Sequence, residues 1–215
     1  MTHSLHRQGS CASLEHDFPI LAMPARQFDI VDDQAKKRTL DKLVAVFDVL
    51  IQHAPTNLGS LYVPGTLAHG KTAAELRTGL KPNAVVCGVF SDRDRLRNAL
   101  SELKARDIGL SVVVSGLMDQ IFDLCDEVGL QPHTVDLSLG VWGRKELLPK
   151  AELMEITTMC GHALTSPALV EDLVSQVRSG RMAAEAAATE LGKPCVCGVF
   201  NQKRAAELVA TLAQE

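Results

Sequence analysis

Residues 83–114, NAVVCGVFSDRDRLRNALSELKARDIGLSVVV, decide how the chain is read. A β-rich run over 83–90 ends at Ser91-Asp92, a pair suited to cap a helix. Residues 93–106 then carry a helical pattern, and residues 108–114 are again β-rich, closed by Ser115-Gly116. A strand, a helix of 12–14 residues and another strand imply a crossover connection, which joins parallel strands.

The same alternation extends outward. Residues 18–23, led by Phe18 and Pro19, read as a short strand. Residues 33–53 form a long helix: Leu40, Leu43, Val44, Phe47, Leu50 and Ile51 recur at helical spacing until Pro55 stops it. Residues 61–63 read as a brief strand and 72–77 as a short helix ended by Gly79. Residues 117–128 are helical up to Gly129, 134–141 alternate as a strand, and 153–159 read as another strand. The expected fold is α/β, a mainly parallel sheet with flanking helices and a C-terminal helical segment. No low-complexity linker interrupts residues 1–215, so one domain is expected, with a polar segment over 1–17 and a helical cysteine-rich segment over 160–215.

Composition narrows the function. With 46% apolar residues in 215 the chain can bury a sizeable core. Aromatics make up 4% and the formal net charge is −4, without a long charged run, which argues against nucleic acid and anionic membranes as partners. No apolar run approaches the roughly 18–20 residues that span a bilayer. The first residues lack the apolar core of a secretory signal, so a cytoplasmic location is expected. Six cysteines in such a compartment argue for chemistry rather than disulfides. Cys87 and Cys125 lie in apolar stretches and read as small hydrophobes, and Cys11 as incidental.

The chemistry concentrates near the C-terminus. Met159-Cys160-Gly161-His162 and Cys195-Val196-Cys197-Gly198 place soft ligands beside glycines. Ser166-Pro167 starts a helix between them, Gly180 ends it, and an Ala-rich helix over 182–191 returns. Thirteen residues rise about 20 Å and ten about 15 Å, so the hairpin carries Cys195 and Cys197 back to Cys160. Pro194 and Gly198 frame a loop presenting both thiols to one side. Asn201 caps the helix that follows, and its positive end favours thiolate.

Three thiolates on Cys160, Cys195 and Cys197 suit a [4Fe-4S] cluster with one iron left for substrate or His162. An open iron acts as a Lewis acid, for elimination or hydration, or in sulfur transfer, on a small anionic metabolite. Zinc on the same three thiols and His162, in a structural or regulatory protein, is the alternative; both ligand pairs here have one intervening residue, whereas structural zinc sites favour wider spacing. A metal-free thiol or disulfide site and plain buried cysteines are the remaining readings. Val86-Cys87-Gly88-Val89-Phe90-Ser91 is echoed by Val196-Cys197-Gly198-Val199-Phe200-Asn201, each after Lys-Pro. The echo is either a chance likeness of two helix entries or a duplicated element that brings Cys87 to the same site.

A second motif competes. Gly65-Thr66-Leu67-Ala68-His69-Gly70-Lys71-Thr72 fits G-x-x-x-x-G-K-T and is similar to the P-loop of translational GTPases, which also carries His-Gly-Lys-Thr. The resemblance implies that Gly65 and Gly70 frame a phosphate cradle, Lys71 contacts the β- and γ-phosphates and Thr72 holds Mg2+. It covers eight residues; the helix that follows is short and no Asn-Lys-x-Asp reads guanine. At the N-terminus His3, His6 and Arg7 form an H-x-x-H-R cluster. If ordered, His3 or His6 would serve as acid–base groups and Arg7 as a carboxylate clamp. Self-association is left open by the sequence.

Overall fold

A computed structural model describes residues 6–215; His3 lies outside them. The elements run α1 (Cys11–Leu14), β1 (Phe18–Met23), α2 (Arg26–Asp29), α3 (Asp33–Gln52), β2 (Asn57–Ser60), β3 (Val63–Thr66), α4 (Ala73–Thr78), β4 (Val86–Phe90), α5 (Arg93–Arg106), β5 (Ser111–Val114), α6 (Met118–Val128), α7 (Ala151–Thr157), α8 (Pro167–Arg178), α9 (Ala184–Gly192) and α10 (Gln202–Leu212).

The sheet is not mainly parallel, as the strand–helix alternation suggested. Its five strands lie in the order β3-β2-β4-β1-β5, and every neighbouring pair is antiparallel. The reason is interleaving. The crossover through α5 joins β4 to β5, which share a direction, but β1 sits between them. The crossover through α3 likewise joins β1 to β2, with β4 inserted. Helical crossovers set the relative direction of the strands they link; they do not make those strands neighbours.

Side chains alternate across this sheet and feed two cores. Phe18, Ile20 and Ala22 of β1 and Phe90 of β4 pack with Leu43, Phe47, Leu50, Leu96, Leu100 and Leu124 from α3, α5 and α6. Leu21 and Cys87 face the other way, against Ile156, Val170, Leu173, Ala188, Leu191, Phe200 and Val209. The four C-terminal helices α7 to α10 therefore cover the face opposite α3 and α5.

Two expected strands do not form, and the one expected over 61–63 is displaced: Leu61 and Tyr62 are the turn between β2 and β3, and only Val63 is in a strand. Residues 153–159 belong mostly to α7, whose Leu153 and Ile156 pack at helical spacing into the second core. Residues 134–141 form no regular element and join no strand of the sheet. Other elements agree closely: α3 starts at the Asp32 cap, whose carboxylate accepts from Ala35 N–H at 2.7 Å, and α5 spans the expected residues. Among the described residues no helix is long and apolar enough to cross a membrane.

Candidate thiol centre

Cys160 leaves the end of α7 rather than a strand, because residues 153–157 are helical. The α8–α9 hairpin then returns the chain and brings Cys195 near enough to Cys160 for the two buried thiols to shift each other's titration. The Sγ atoms of Cys195 and Cys197 stand 3.7 Å apart. The chain bends over 196–198, and both thiols are buried while Val196 between them is 47% exposed. Cys197 also lies near enough to the Cys87 thiol on β4 to be shifted by it, and approaches His162 Nδ1 at 4.0 Å. The result is a chain of four buried thiols, Cys160–Cys195–Cys197–Cys87, with exposed His162 beside it.

The fold holds these loops at backbone level. Gly198 adopts φ +97°, and a Cβ there would sit 2.5 Å from Gly59 N and 3.1 Å from the Cys87 carbonyl oxygen. Only glycine lets the 195–200 loop lie so close against β2 and β4. Asn57, buried on β2, donates through Nδ2 to the Phe200 carbonyl at 3.3 Å. His69 accepts Thr66 N–H at Nδ1 and donates from Nε2 to the Lys193 carbonyl at 2.8 Å, which anchors the chain just before Cys195.

The two Val-Cys-Gly-Val-Phe runs lie side by side. Cys87 meets Cys197, and four residues on Ser91 Oγ donates to Asn201 Oδ1 at 2.9 Å. Cys87 thus belongs with the site, through the element whose echo the sequence carries.

Arg7 closes the arrangement from the N-terminal side. Its Nε donates to Asp17 Oδ2 at 3.0 Å, its Nη1 to the Met159 carbonyl at 3.2 Å and its Nη2 to the Val199 carbonyl. One guanidinium therefore ties both thiol loops together. All three nitrogens are engaged, which leaves the expected carboxylate clamp without a free fork. Asp17 also accepts from Arg204 Nη1 at 2.8 Å and from Asn201 Nδ2 at 3.1 Å. Arg204 is 2% exposed and Asp17 1%. Burial lowers the Arg204 pKa, and the Asp17 carboxylate opposes that shift. Sequence reading placed Asn201 only as a helix cap and missed Asp17 and Arg204, because their partners lie up to 196 residues away. His6 falls among the described residues, immediately before Arg7.

The helix-end argument for thiolate is outweighed. The hydrogen bond with Cys195 and then burial push the Cys160 thiol well above its usual range. The Cys195 hydrogen bond by itself lowers the Cys197 thiol, but the bond with Cys87 and burial win and push it up to about 12. The Cys160 bond lowers Cys195, against Cys197 and burial, with a net rise. The site without metal holds neutral thiols, so a metal ion entering it displaces protons. Among the described residues no three His, Cys, Asp or Glu side chains already converge on one metal position; the thiols touch in pairs.

The glycine–lysine loop is built differently from a phosphate cradle. Gly65 and Thr66 belong to the edge strand β3, and Gly70 ends a 3-10 turn over Leu67–His69. Helix α4 has six residues, and Thr72 and Glu75 cap it reciprocally. Thr72 N–H and Oγ1 donate to Glu75 Oε2 at 2.8 and 2.9 Å, while Lys71 Nζ pairs with Glu75 Oε1 at 3.2 Å. Lys71 and Thr72 are therefore engaged by Glu75, and Ala68 N–H donates to Asn57 Oδ1 on β2 at 3.2 Å.

No known protein family model, no curated protein and no solved structure matches this chain.

Proposed function

We propose that the chain is a metalloprotein whose centre is a thiolate-anchored [4Fe-4S] cluster, with Cys160, Cys195 and Cys197 as anchors and Cys87 in reach of a fourth position. The observation that supports this reading is the row of four buried thiols drawn from three separate stretches of chain and framed by glycine loops, a row that would have to close up around a metal. Four thiols strung in a row suit a polynuclear cluster, whose anchors lie around its perimeter. The exposed side of the site is the side of His162. An iron left open there would act as a Lewis acid, in lyase or hydratase chemistry or in sulfur transfer, on a small anionic metabolite. His162, 4.0 Å from Cys197 Sγ, would meet that substrate as an acid–base group. Six free cysteines suit a reducing, cytoplasmic compartment.

One observation favours a second reading, a single zinc ion. With zinc–sulfur bonds of about 2.3 Å, the edge of a tetrahedron is about 3.8 Å. The 3.7 Å between Cys195 and Cys197 matches that edge.

Anaerobic expression of Cys160→Ser, Cys195→Ser, Cys197→Ser and Cys87→Ser separates the readings. A cluster enzyme loses most of its iron in the first three. His162→Ala keeps the iron and changes turnover or substrate-induced spectral shifts. Retention of iron in all four serine variants overturns the assignment.

A further inference from the structure

We propose that residues 134–142 form a strand-exchange arm that pairs with the open edge of β5 in a second copy of this chain. The run Thr134-Val135-Asp136-Leu137-Ser138-Leu139 alternates polar and apolar residues with the period of a half-buried strand. Its apolar residues are nevertheless exposed: Val135 47%, Leu137 68% and Leu139 86%. Trp142, the single tryptophan, is 80% exposed and Leu147 67%. Among the described residues, 131–142 make no backbone–backbone hydrogen bond with any other segment. The arm thus has the side-chain pattern of a strand and none of its hydrogen bonds, and both demands are met by one thing, a sheet edge.

The chain carries such an edge. Among the described residues β5 ends the sheet and pairs with β1 alone, so the other side of Ser111–Val114 has no strand partner there, and three of its four residues are valine. The chain's own arm follows β5 by way of α6 and does not join it. In a pair of copies, each molecule offers one arm and one edge. A two-fold exchange satisfies both at once and leaves neither over. Size supports that occupant. Each arm exposes four large apolar side chains, Val135, Leu137, Leu139 and Trp142, so a two-fold exchange covers eight at once, in the direction of the roughly 1,200 Å2 at which stable interfaces begin.

Sedimentation equilibrium of the wild-type chain and of Leu137→Glu/Leu139→Glu tests the exchange, with Trp142 emission followed across the same dilution series. The expected result is a wild-type dimer in the micromolar range whose Trp142 emission moves to longer wavelength on dilution. The double variant should be a monomer with unchanged far-UV circular dichroism and solvent-like emission throughout. A wild-type monomer with solvent-like emission at every concentration overturns the proposal. So does a monomer with buried-type emission, which places the arm on its own molecule. A dimer that survives the double substitution also overturns it. The wild-type tryptophan series decides by itself if the double variant does not fold.

Discussion

Ser91 and Asn201 stand hydroxyl to amide, Ser91 Oγ donating to Asn201 Oδ1 at 2.9 Å across 110 residues. Each is the fifth residue of a Cys-Gly-Val-Phe run counted from its cysteine, and each stands at the entry to a helix, α5 or α10. The bond fixes the two runs in register and so fixes Cys87 against Cys197. The thiol centre is a product of that pairing and of the α8–α9 hairpin.

Gly198→Ala tests the backbone approach. The new Cβ would meet Gly59 N at 2.5 Å and Leu58 C at 2.8 Å, both main-chain atoms that cannot step aside, at φ +97°. The expected loss is roughly 1–3 kcal/mol or more in stability. Chemical denaturation measures it, and the same variant should bind less metal because the 195–197 loop is displaced.

Asp17→Ala should cost more. It leaves the buried Arg204 and the Arg7 clip without their shared carboxylate. Breaking a buried pair on one side costs about 3–5 kcal/mol. Thermal unfolding checks the magnitude. Because Arg7 also holds the Met159 and Val199 carbonyls, the thiols of Cys160 and Cys197 should react faster with an aromatic disulfide reagent in the folded variant.

The Lys71 loop predicts inertness. Calorimetry at millimolar ATP or GTP should show no binding, and Lys71→Ala should change nothing. The Glu75 carboxyl, held down to about 2 first by Thr72 N–H and then by the Thr72 hydroxyl and Lys71, is depressed relative to the unfolded chain. Its stabilising effect is therefore present above its ordinary carboxylate range and fades only as pH falls toward about 2. Carboxyl NMR titration reads this directly, and a Glu75 midpoint in the ordinary range would contradict the cap.

His53 and Glu102 give a second pH signature. Their 2.7 Å hydrogen bond joins α3 to α5 and lowers the Glu102 pKa. The bond should help hold these helices above the ordinary carboxylate range and weaken on acidification through the lowered value. Glu102→Gln should flatten that part of the stability–pH curve.

Local signals in the sequence carried most of the helices. Leu40 to Ile51 show α3 by periodicity, and Asp92 and Ser166 announce α5 and α8 as caps. Sheet order was hidden, because alternation fixes the direction of linked strands and is silent on what inserts between them. Leu153 and Ile156 suit either a strand or a helix over so short an apolar run, and only packing against α8 chose the helix. Residues 134–141 have a strand pattern but no partner within the chain. At the site, Cys160, Cys195 and Cys197 were legible from their glycine neighbours and the intervening hairpin. Cys87 was legible only through the repeated Cys-Gly-Val-Phe. Asp17 and Arg204 left no local trace, since a buried ion pair joined across 187 residues looks in sequence like two surface charges.

A cluster anchored by the buried thiols is tested by iron together with acid-labile sulfide, measured per chain on anaerobically purified wild-type protein. The account predicts a brown protein with close to four irons and four sulfides, as a [4Fe-4S] centre requires. One zinc per chain and no sulfide would replace the cluster with a tetrahedral ion at the 3.7 Å thiol pair. Protein without bound metal after anaerobic reconstitution would contradict the account outright.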